Sequence, residues 1–143
     1  MHATPDTALW NPTAITLWSV PFSPLFGAWL HIHNWTALGE PAKADAARRW
    51  FHALLVIMVL NGVVTAIAER VAMSVNPADF ISIGVFLLWY LLAAQPHARA
   101  VREKTRARYA RRSWDGALLT GVAAGLVFHG YSRLICTLLA WYT

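Results

Sequence analysis

The sequence predicts an all-α membrane protein, a bundle of four transmembrane helices whose first helix is proline-kinked or re-entrant. Hydrophobic residues make up 57% of the chain and charged residues only 13%, against roughly 25% charged residues in soluble proteins. Four apolar runs are separated by polar segments, and their lengths suit the hydrocarbon core of a bilayer. We treat residues 1–143 as one membrane domain, because this length gives no argument for a second.

The first run, predicted to span residues 12–34, is the ambiguous one. It begins with the helix-start pair Asn11 and Pro12 and continues without a charge. Pro21 and Pro24 remove backbone donors from its middle, which membrane helices tolerate when neighbouring groups satisfy the freed carbonyls. A kinked span is the first interpretation. A re-entrant pair of short helices hinged at "VPFSP" is the alternative.

The second and third runs are simpler. The second span, residues 51–69, begins with 18 uncharged residues, which cover ~27 Å of helix. The third span covers residues 77–95. We predict Asn76 as its N-cap, Pro77 at its first helical position and Asp79 in its first turn.

The fourth span, residues 115–140, contains His129 and Arg133. An arginine at the bilayer centre costs on the order of 2.5 to 3.5 kcal/mol, so we place Arg133 at the outer interface. It either pairs with Glu69 there or extends to the head groups without a protein partner. His129 is predicted to hydrogen-bond across the bundle, and Asn61 in the second span is predicted to do the same.

Small residues recur at every fourth position of the fourth span, at Ala117, Gly121 and Gly125. This spacing lets two helix backbones approach closely, so it predicts a helix-packing face. The partner is either another span of the same chain or a second copy of the protein. A homo-oligomer through the Gly121 and Gly125 face therefore stays open.

Positive charge orients the spans. Ten of the twelve Lys and Arg residues lie in two connections, residues 35–50 and 96–114, and the positive-inside rule makes both of them cytoplasmic loops. With four spans both chain ends are periplasmic, whereas a re-entrant first run moves the N-terminus to the cytoplasmic side. The second loop is predicted to contact lipid head groups and not nucleic acid. Its basic residues are Arg99, Arg102, Lys104, Arg106, Arg108, Arg111 and Arg112.

The sequence gives no support for catalysis or a cofactor. A single cysteine, Cys136, excludes an internal disulfide and a multi-cysteine zinc site, and no nucleotide-binding, metalloprotease or serine-hydrolase motif is present. His31 and His33 lie two apart, so on a helix they point ~200° away from each other and cannot chelate one ion. One of them could oppose His52 across a haem, but histidines at the membrane interface are the preferred interpretation. We therefore predict no cofactor and no metal.

Two stretches resemble a group of small proteobacterial inner-membrane proteins. They are "NPTAITLWSVPFSPLFGAWLHIHNWTALGEPAKA" and "RARYARRSWDGALL", residues 11–44 and 106–119. The shared features are Asn-Pro, Trp-Ser ahead of Phe-Ser-Pro, Phe-Gly-Ala, an aromatic Asn-Trp, Leu-Gly-Glu-Pro and a later Tyr-x-Arg-Arg-x-Trp. The resemblance implies a multi-pass protein of the bacterial inner membrane without established catalytic residues. Some relatives look like immunity proteins against antibacterial toxins.

Two functions of different classes are compatible with these features. The first is a non-enzymatic binding protein, an immunity or inhibitor protein that neutralises a toxin or a membrane enzyme at the inner membrane. Its predicted partner contacts at the outer rim are Glu69, Arg70, Asp79 and Arg133. The alternative is a small oligomeric transporter or channel subunit, with Asn61, His129 and Arg133 along its path. A haem- or metal-binding membrane protein is the third possibility.

Overall fold

The computed structural model describes residues 7–106 and 108–141, so the predicted membrane side of the two chain ends falls outside it. Five helices follow one another: α1 (Pro12–Phe22), α2 (Pro24–Ala37), α3 (Pro41–Arg70), α4 (Pro77–Thr105) and α5 (Asp115–Trp141). Two short strands, β1 (Ala8–Leu9) and β2 (Ala110–Arg111), pair in parallel. The prediction of a helical protein is confirmed.

The two Asn-Pro pairs start helices as predicted. The Asn11 side chain accepts a hydrogen bond from the backbone N–H of Thr13 at 3.0 Å, and the Asn76 side chain accepts one from Ala78 at 3.0 Å. A proline occupies the first helical position in each case, where its missing N–H costs no intrahelical bond.

Three helices, α3, α4 and α5, are long and apolar enough to cross a membrane. The first predicted span is instead divided between α1 and α2, which have 11 and 14 residues. These lengths correspond to ~16 and ~21 Å of helix, less than a hydrocarbon core of ~30 Å. The prediction of four full spans is therefore not confirmed.

Helices α1 and α2 form an antiparallel hairpin. At its open end the backbone N–H of Trp10 donates to Asn34 Oδ1 at 3.1 Å, and Asn34 Nδ2 donates to the Trp10 carbonyl at 2.9 Å. Near its tip, Ser19 of α1 lies directly against Gly27 of α2. The first apolar run thus returns to the end where it begins. The described structure therefore has the pair of short helices of the re-entrant alternative, and the interpretation as a single kinked span is not confirmed.

The hairpin tip depends on the prolines and on Ser23 between the helices. Ser23 has φ 90° and ψ 157°, outside the helical region, and a residue before proline is disfavoured in that region. Pro24 then opens α2 where no N–H is needed. Pro21, in the last turn of α1, has no N–H for the carbonyl four residues back. The last turn still closes with an ordinary helical hydrogen bond, from the Ser23 N–H to the Ser19 carbonyl at 3.0 Å.

The segments predicted as cytoplasmic loops, 35–50 and 96–114, are largely helical. Helix α3 already begins at Pro41, and α4 continues to Thr105. These extensions are amphipathic, and hydropathy alone does not separate an amphipathic helix from a polar loop. Their apolar sides pack in a buried cluster with the first strand, and the cluster consists of Leu9, Trp35, Leu38, Ala44, Ala47 and Val101.

Helix α4 contains a π-helical turn at Tyr90–Ala94, just before Pro96. Proline has no N–H and clashes with the carbonyl four residues back, and a wider turn relieves this conflict without ending the helix. Trp89, at the start of the π-helical turn, is fully buried.

The hairpin contributes to all three buried clusters of the described residues, so it lies at the centre of the bundle. Besides the cluster with β1, it packs against α5 and against the pair α3 and α4. The α5 cluster contains Trp10, Ile15, Phe26, Leu30 and Ala117, and the α3–α4 cluster contains Ala28, Leu54, Trp89 and Ala94.

Candidate functional site: a cleft between the candidate membrane helices

A cleft of about 840 Å³ lies between the hairpin tip and the three long helices. Its volume is within the roughly 300 to 1,000 Å³ of small-molecule and cofactor sites. The walls are mainly apolar and include Phe22, Phe26, Trp29, Leu54, Met58, Phe86, Ala124 and Phe128. Polar side chains are few, and they include Ser19, Asn61, Ser82 and Thr120. The cleft is therefore suited to an apolar occupant that makes one or two hydrogen bonds.

Asn61 supplies the polar feature of the cleft. Its Nδ2 donates to the Ala78 carbonyl at 3.1 Å and to Ser82 Oγ at 2.8 Å, so the amide connects α3 to α4 as predicted. Its Oδ1 is buried and has no hydrogen-bond partner within the described residues. A buried amide oxygen without a partner is costly, and a donor on a bound molecule would satisfy it.

The small residues of α5 divide between the hairpin and the cleft. Ala117 is buried against the hairpin. A Cβ at Gly121 would lie 3.1 Å from the Phe22 ring, whereas a Cβ at Gly125 would meet nothing within 4 Å. Gly121 and Gly125 both line the cleft. The packing face thus has a partner in the same chain at Ala117 and Gly121, and it is open at Gly125.

The outer-rim residues are connected differently from the prediction. Glu69 accepts a hydrogen bond from the Cys136 thiol at 3.5 Å, and Arg70 donates to the Leu139 carbonyl. The ion pairs found in the described part of the chain do not include Glu69 with Arg133. Both hydrogen bonds nevertheless join the end of α3 to the end of α5.

The other polar residues proposed for a site do not converge on the cleft. Asp79, His129 and Arg133 are exposed on the protein, and none of them lines the cleft. His129 therefore faces away from the bundle, and the predicted hydrogen bond across it is absent from the described contacts.

The basic residues at the end of α4 and in the segment after it are mostly exposed. Two of its members also have tertiary roles: Lys104 pairs with Glu40, and the Arg112 guanidinium lies 4.4 Å from the centre of the Trp10 ring. Arg112 also donates its backbone N–H to the Leu9 carbonyl at 2.9 Å. The exposed remainder consists of Arg99, Arg102, Arg106, Arg108 and Arg111.

The Glu40–Lys104 pair predicts a pH-dependent stability. The hydrogen bond from Lys104 is the main cause that lowers the pKa of Glu40 from its ordinary value of 4.5. Because the folded pKa is the lower one, the pair stabilises the fold above the ordinary pKa and this contribution is lost as the pH falls through the folded pKa. Glu40→Gln should lower the melting temperature in detergent at pH 7, and the difference from the wild type should be smaller at pH 3.

Asp45→Asn is the control for that experiment, because Asp45 pairs with Arg48 on the exposed surface of a single helix. Its effect should be smaller at pH 7. An effect of Glu40→Gln that is equal at both pH values would contradict the assignment.

Sequence reasoning missed a second cluster, formed by His31 and His97. The His31 ring centre lies 4.0 Å from that of His97 and 5.4 Å from that of Trp89, and Trp35 meets His97 edge-on at 4.9 Å. The spacing of these residues in the sequence was a usable signal for the cluster. His31 and Trp35 are four residues apart, and Trp89 and His97 are eight residues apart, so the members of each pair lie on one helical face. His33 instead contacts the Trp29 carbonyl at 2.9 Å, and His52 is exposed.

Within the described residues no three His, Cys, Asp or Glu side chains are grouped to hold a metal ion. An iron between His31 and His97 would require ring centres further apart than 4.0 Å, since each metal–nitrogen bond alone is ~2 Å. Comparison with family models, curated proteins and solved structures gives no match to this chain. The resemblance to small inner-membrane proteins therefore stays a prediction.

Proposed function

We propose that this chain is a non-enzymatic, multi-pass protein of the bacterial inner membrane that binds an apolar transmembrane segment of a partner protein in the cleft. An immunity or inhibitor role against a toxin or a membrane enzyme is the form of this function that the resemblance implies. The observation that carries the proposal is the combination of an apolar cleft between candidate spans with the unpartnered Oδ1 of Asn61.

Two further features support a helix as the occupant. Gly121 and Gly125 present almost no side chain to the cleft, and small residues let a second helix backbone approach. The rest of the chain also leaves much of α5 uncovered, because none of the residues in its most apolar part is buried. A helix seated beside Gly125 would contact both α5 and the hairpin tip.

The orientation follows from charge and from the hairpin. The basic segments favour the cytoplasmic side for the start of α3 and the end of α4. Trp10 lies at the same end of the bundle, because β1, the strand just before it, pairs with β2 in the second basic segment. A reporter fused ahead of residue 7 should therefore give a cytoplasmic signal, and a reporter inserted after Ala72 should give a periplasmic one. A periplasmic signal from the first fusion would contradict this arrangement.

The binding function is tested by filling the cleft at Gly125. If the partner is a toxin, Gly125→Leu should abolish the protection that this protein gives to cells expressing that toxin, because the new side chain occupies the open space next to α5. A Cβ at this position meets nothing within 4 Å, so we expect the protein to accumulate to wild-type levels in the membrane. Growth after toxin induction and immunoblotting of membranes measure the two quantities.

Gly130→Leu is the matched control. Gly130 lies on the same helix, is exposed and does not line the cleft, and a Cβ added there would also meet nothing within 4 Å. This variant should protect like the wild type. Equal survival of cells with and without this gene would reject the immunity role, and equal protection by both variants would reject the cleft as its site.

The transporter alternative receives less support from the geometry. Of the three residues predicted along its path, Asn61 lines the cleft, whereas His129 and Arg133 are exposed elsewhere. We therefore do not advance it.

A further inference from the structure

A second cavity, of about 310 Å³, lies where α2, the start of α3 and the π-helical part of α4 meet. We call it the histidine pocket. Its lining includes His31, Trp35, Lys43, Trp50, Leu92 and His97, and it shares no residue with the cleft. It lies at the end of the bundle that carries the basic segments. The histidine pocket is therefore a separate site from the cleft, and the inference below does not rest on the proposed partner binding.

The two imidazoles in this pocket are buried without satisfying their nitrogens. His31 and His97 are each 2% exposed. Nε2 of His31 and both ring nitrogens of His97 have no hydrogen-bond partner in residues 7–106 and 108–141. Burial of an unpaired charge is far more costly than burial of a neutral ring, so we treat both imidazoles as neutral. Each neutral ring then offers one donor and one acceptor.

The remaining walls restrict what could pair with these nitrogens. Trp35 and Trp50 supply flat aromatic surfaces, and no Asp or Glu is in the lining. The Lys43 ammonium is 3.7 Å from the Glu40 carboxylate and 4.8 Å from the centre of the Trp35 ring. Its charge therefore has partners other than the two imidazoles. Leu92 is 58% exposed on a candidate membrane helix, which gives the pocket a side open to acyl chains.

We propose that the histidine pocket binds the head group of a quinone-like amphiphile, a flat uncharged ring that carries carbonyl or hydroxyl oxygens. Its oxygens pair with the nitrogens of His31 and His97, its ring lies against the tryptophans, and its apolar tail leaves past Leu92 into the bilayer. The volume is at the lower end of the roughly 300 to 1,000 Å³ found for ligand sites, which matches one ring and not a larger head group.

The test uses the full-length protein in phospholipid nanodiscs, titrated with decylubiquinone in a calorimeter. Saturable binding to one site is expected. His97→Phe keeps an aromatic ring but removes the nitrogens, so it should weaken binding by about tenfold or more, as for loss of a hydrogen bond. His52→Phe is the matched control, because His52 is an exposed histidine of α3, and it should bind like the wild type.

Ala46→Leu gives a second route that leaves both histidines in place. Ala46 lines the pocket and is only half-buried, so a larger side chain there should fill space, weaken binding and leave the melting temperature unchanged. Decylbenzene, which has the tail and ring without oxygens, should bind more weakly than decylubiquinone. Absence of saturable binding by the wild type, equal affinity of His97→Phe and His52→Phe, or equal binding of decylbenzene would each overturn the proposal.

Discussion

Replacement of Gly27 by alanine should destabilise the packing of the hairpin in the bundle. A Cβ at this position would lie 2.5 Å from Cζ2 and Cη2 of the buried Trp89 ring and would also overlap the Ser19 hydroxyl. Neither neighbour can yield, because Trp89 is fully buried and Ser19 donates to the Ile15 carbonyl at 2.8 Å. We expect Gly27→Ala to lower the free energy of unfolding by about 1 to 3 kcal/mol, the usual cost of overpacking.

Thermal unfolding in detergent, followed by circular dichroism, measures this effect. Gly84→Ala is the matched control, because Gly84 is also inside a helix and a Cβ there would meet nothing within 4 Å. Its melting temperature should be unchanged or slightly higher, since alanine favours a helix over glycine. If Gly27→Ala and Gly84→Ala have the same melting temperature, the close contact of the hairpin tip with α4 does not exist in the protein.

Replacement of Asn34 by leucine should release the N-terminal strand. In Asn34→Leu the backbone N–H and carbonyl of Trp10 lose the hydrogen-bond partners that the Asn34 amide provides. Water does not replace these partners, because Asn34 is 1% exposed and Trp10 is 6% exposed. Each orphaned buried group costs about 1 to 3 kcal/mol. Leu9, the residue directly before Trp10, pairs with Arg111. The pairing of β1 with β2 should therefore loosen when Trp10 loses its contacts with Asn34.

Hydrogen exchange followed by mass spectrometry should show lost protection at residues 8–10 and 110–112 in Asn34→Leu. Thr36→Val is the control, since the Thr36 hydroxyl donates to Ile32 within its own helix. It should retain wild-type protection at both strands. Unchanged exchange in Asn34→Leu would mean that the amide does not close the hairpin.

Several elements of the fold could be predicted because their signals are local. The Asn-Pro starts of α1 and α4 need only two adjacent residues and a following helical segment. The apolar parts of α3, α4 and α5 need only length and composition. The part of the site that could be predicted is Asn61 and the Gly121 face, because an amide or a small-residue repeat in an apolar run requires a partner whatever the fold.

Other elements could not be predicted because alternatives of similar local quality existed. Pro21 and Pro24 permit a kinked span as well as a hairpin, and only the contacts of Trp10 with Asn34 and of Ser19 with Gly27 decide for the hairpin. Depth alone allowed Arg133 either to pair with Glu69 or to extend to the head groups without a partner. Depth does not fix the rotation of α5, and Cys136 occupies the position beside Glu69 instead.

The sequence by itself determined that the helices are apolar and long enough to span a membrane. It also determined where several helices begin and which end of the bundle carries the positive charge. These are properties of single segments, set by hydropathy, capping and charge. Only the tertiary structure decided that the first run turns back, that His31 lies against His97, and that an open cleft separates α4 from α5 beside Asn61. Those features depend on packing between residues far apart in the chain, whose free energy no single segment contains.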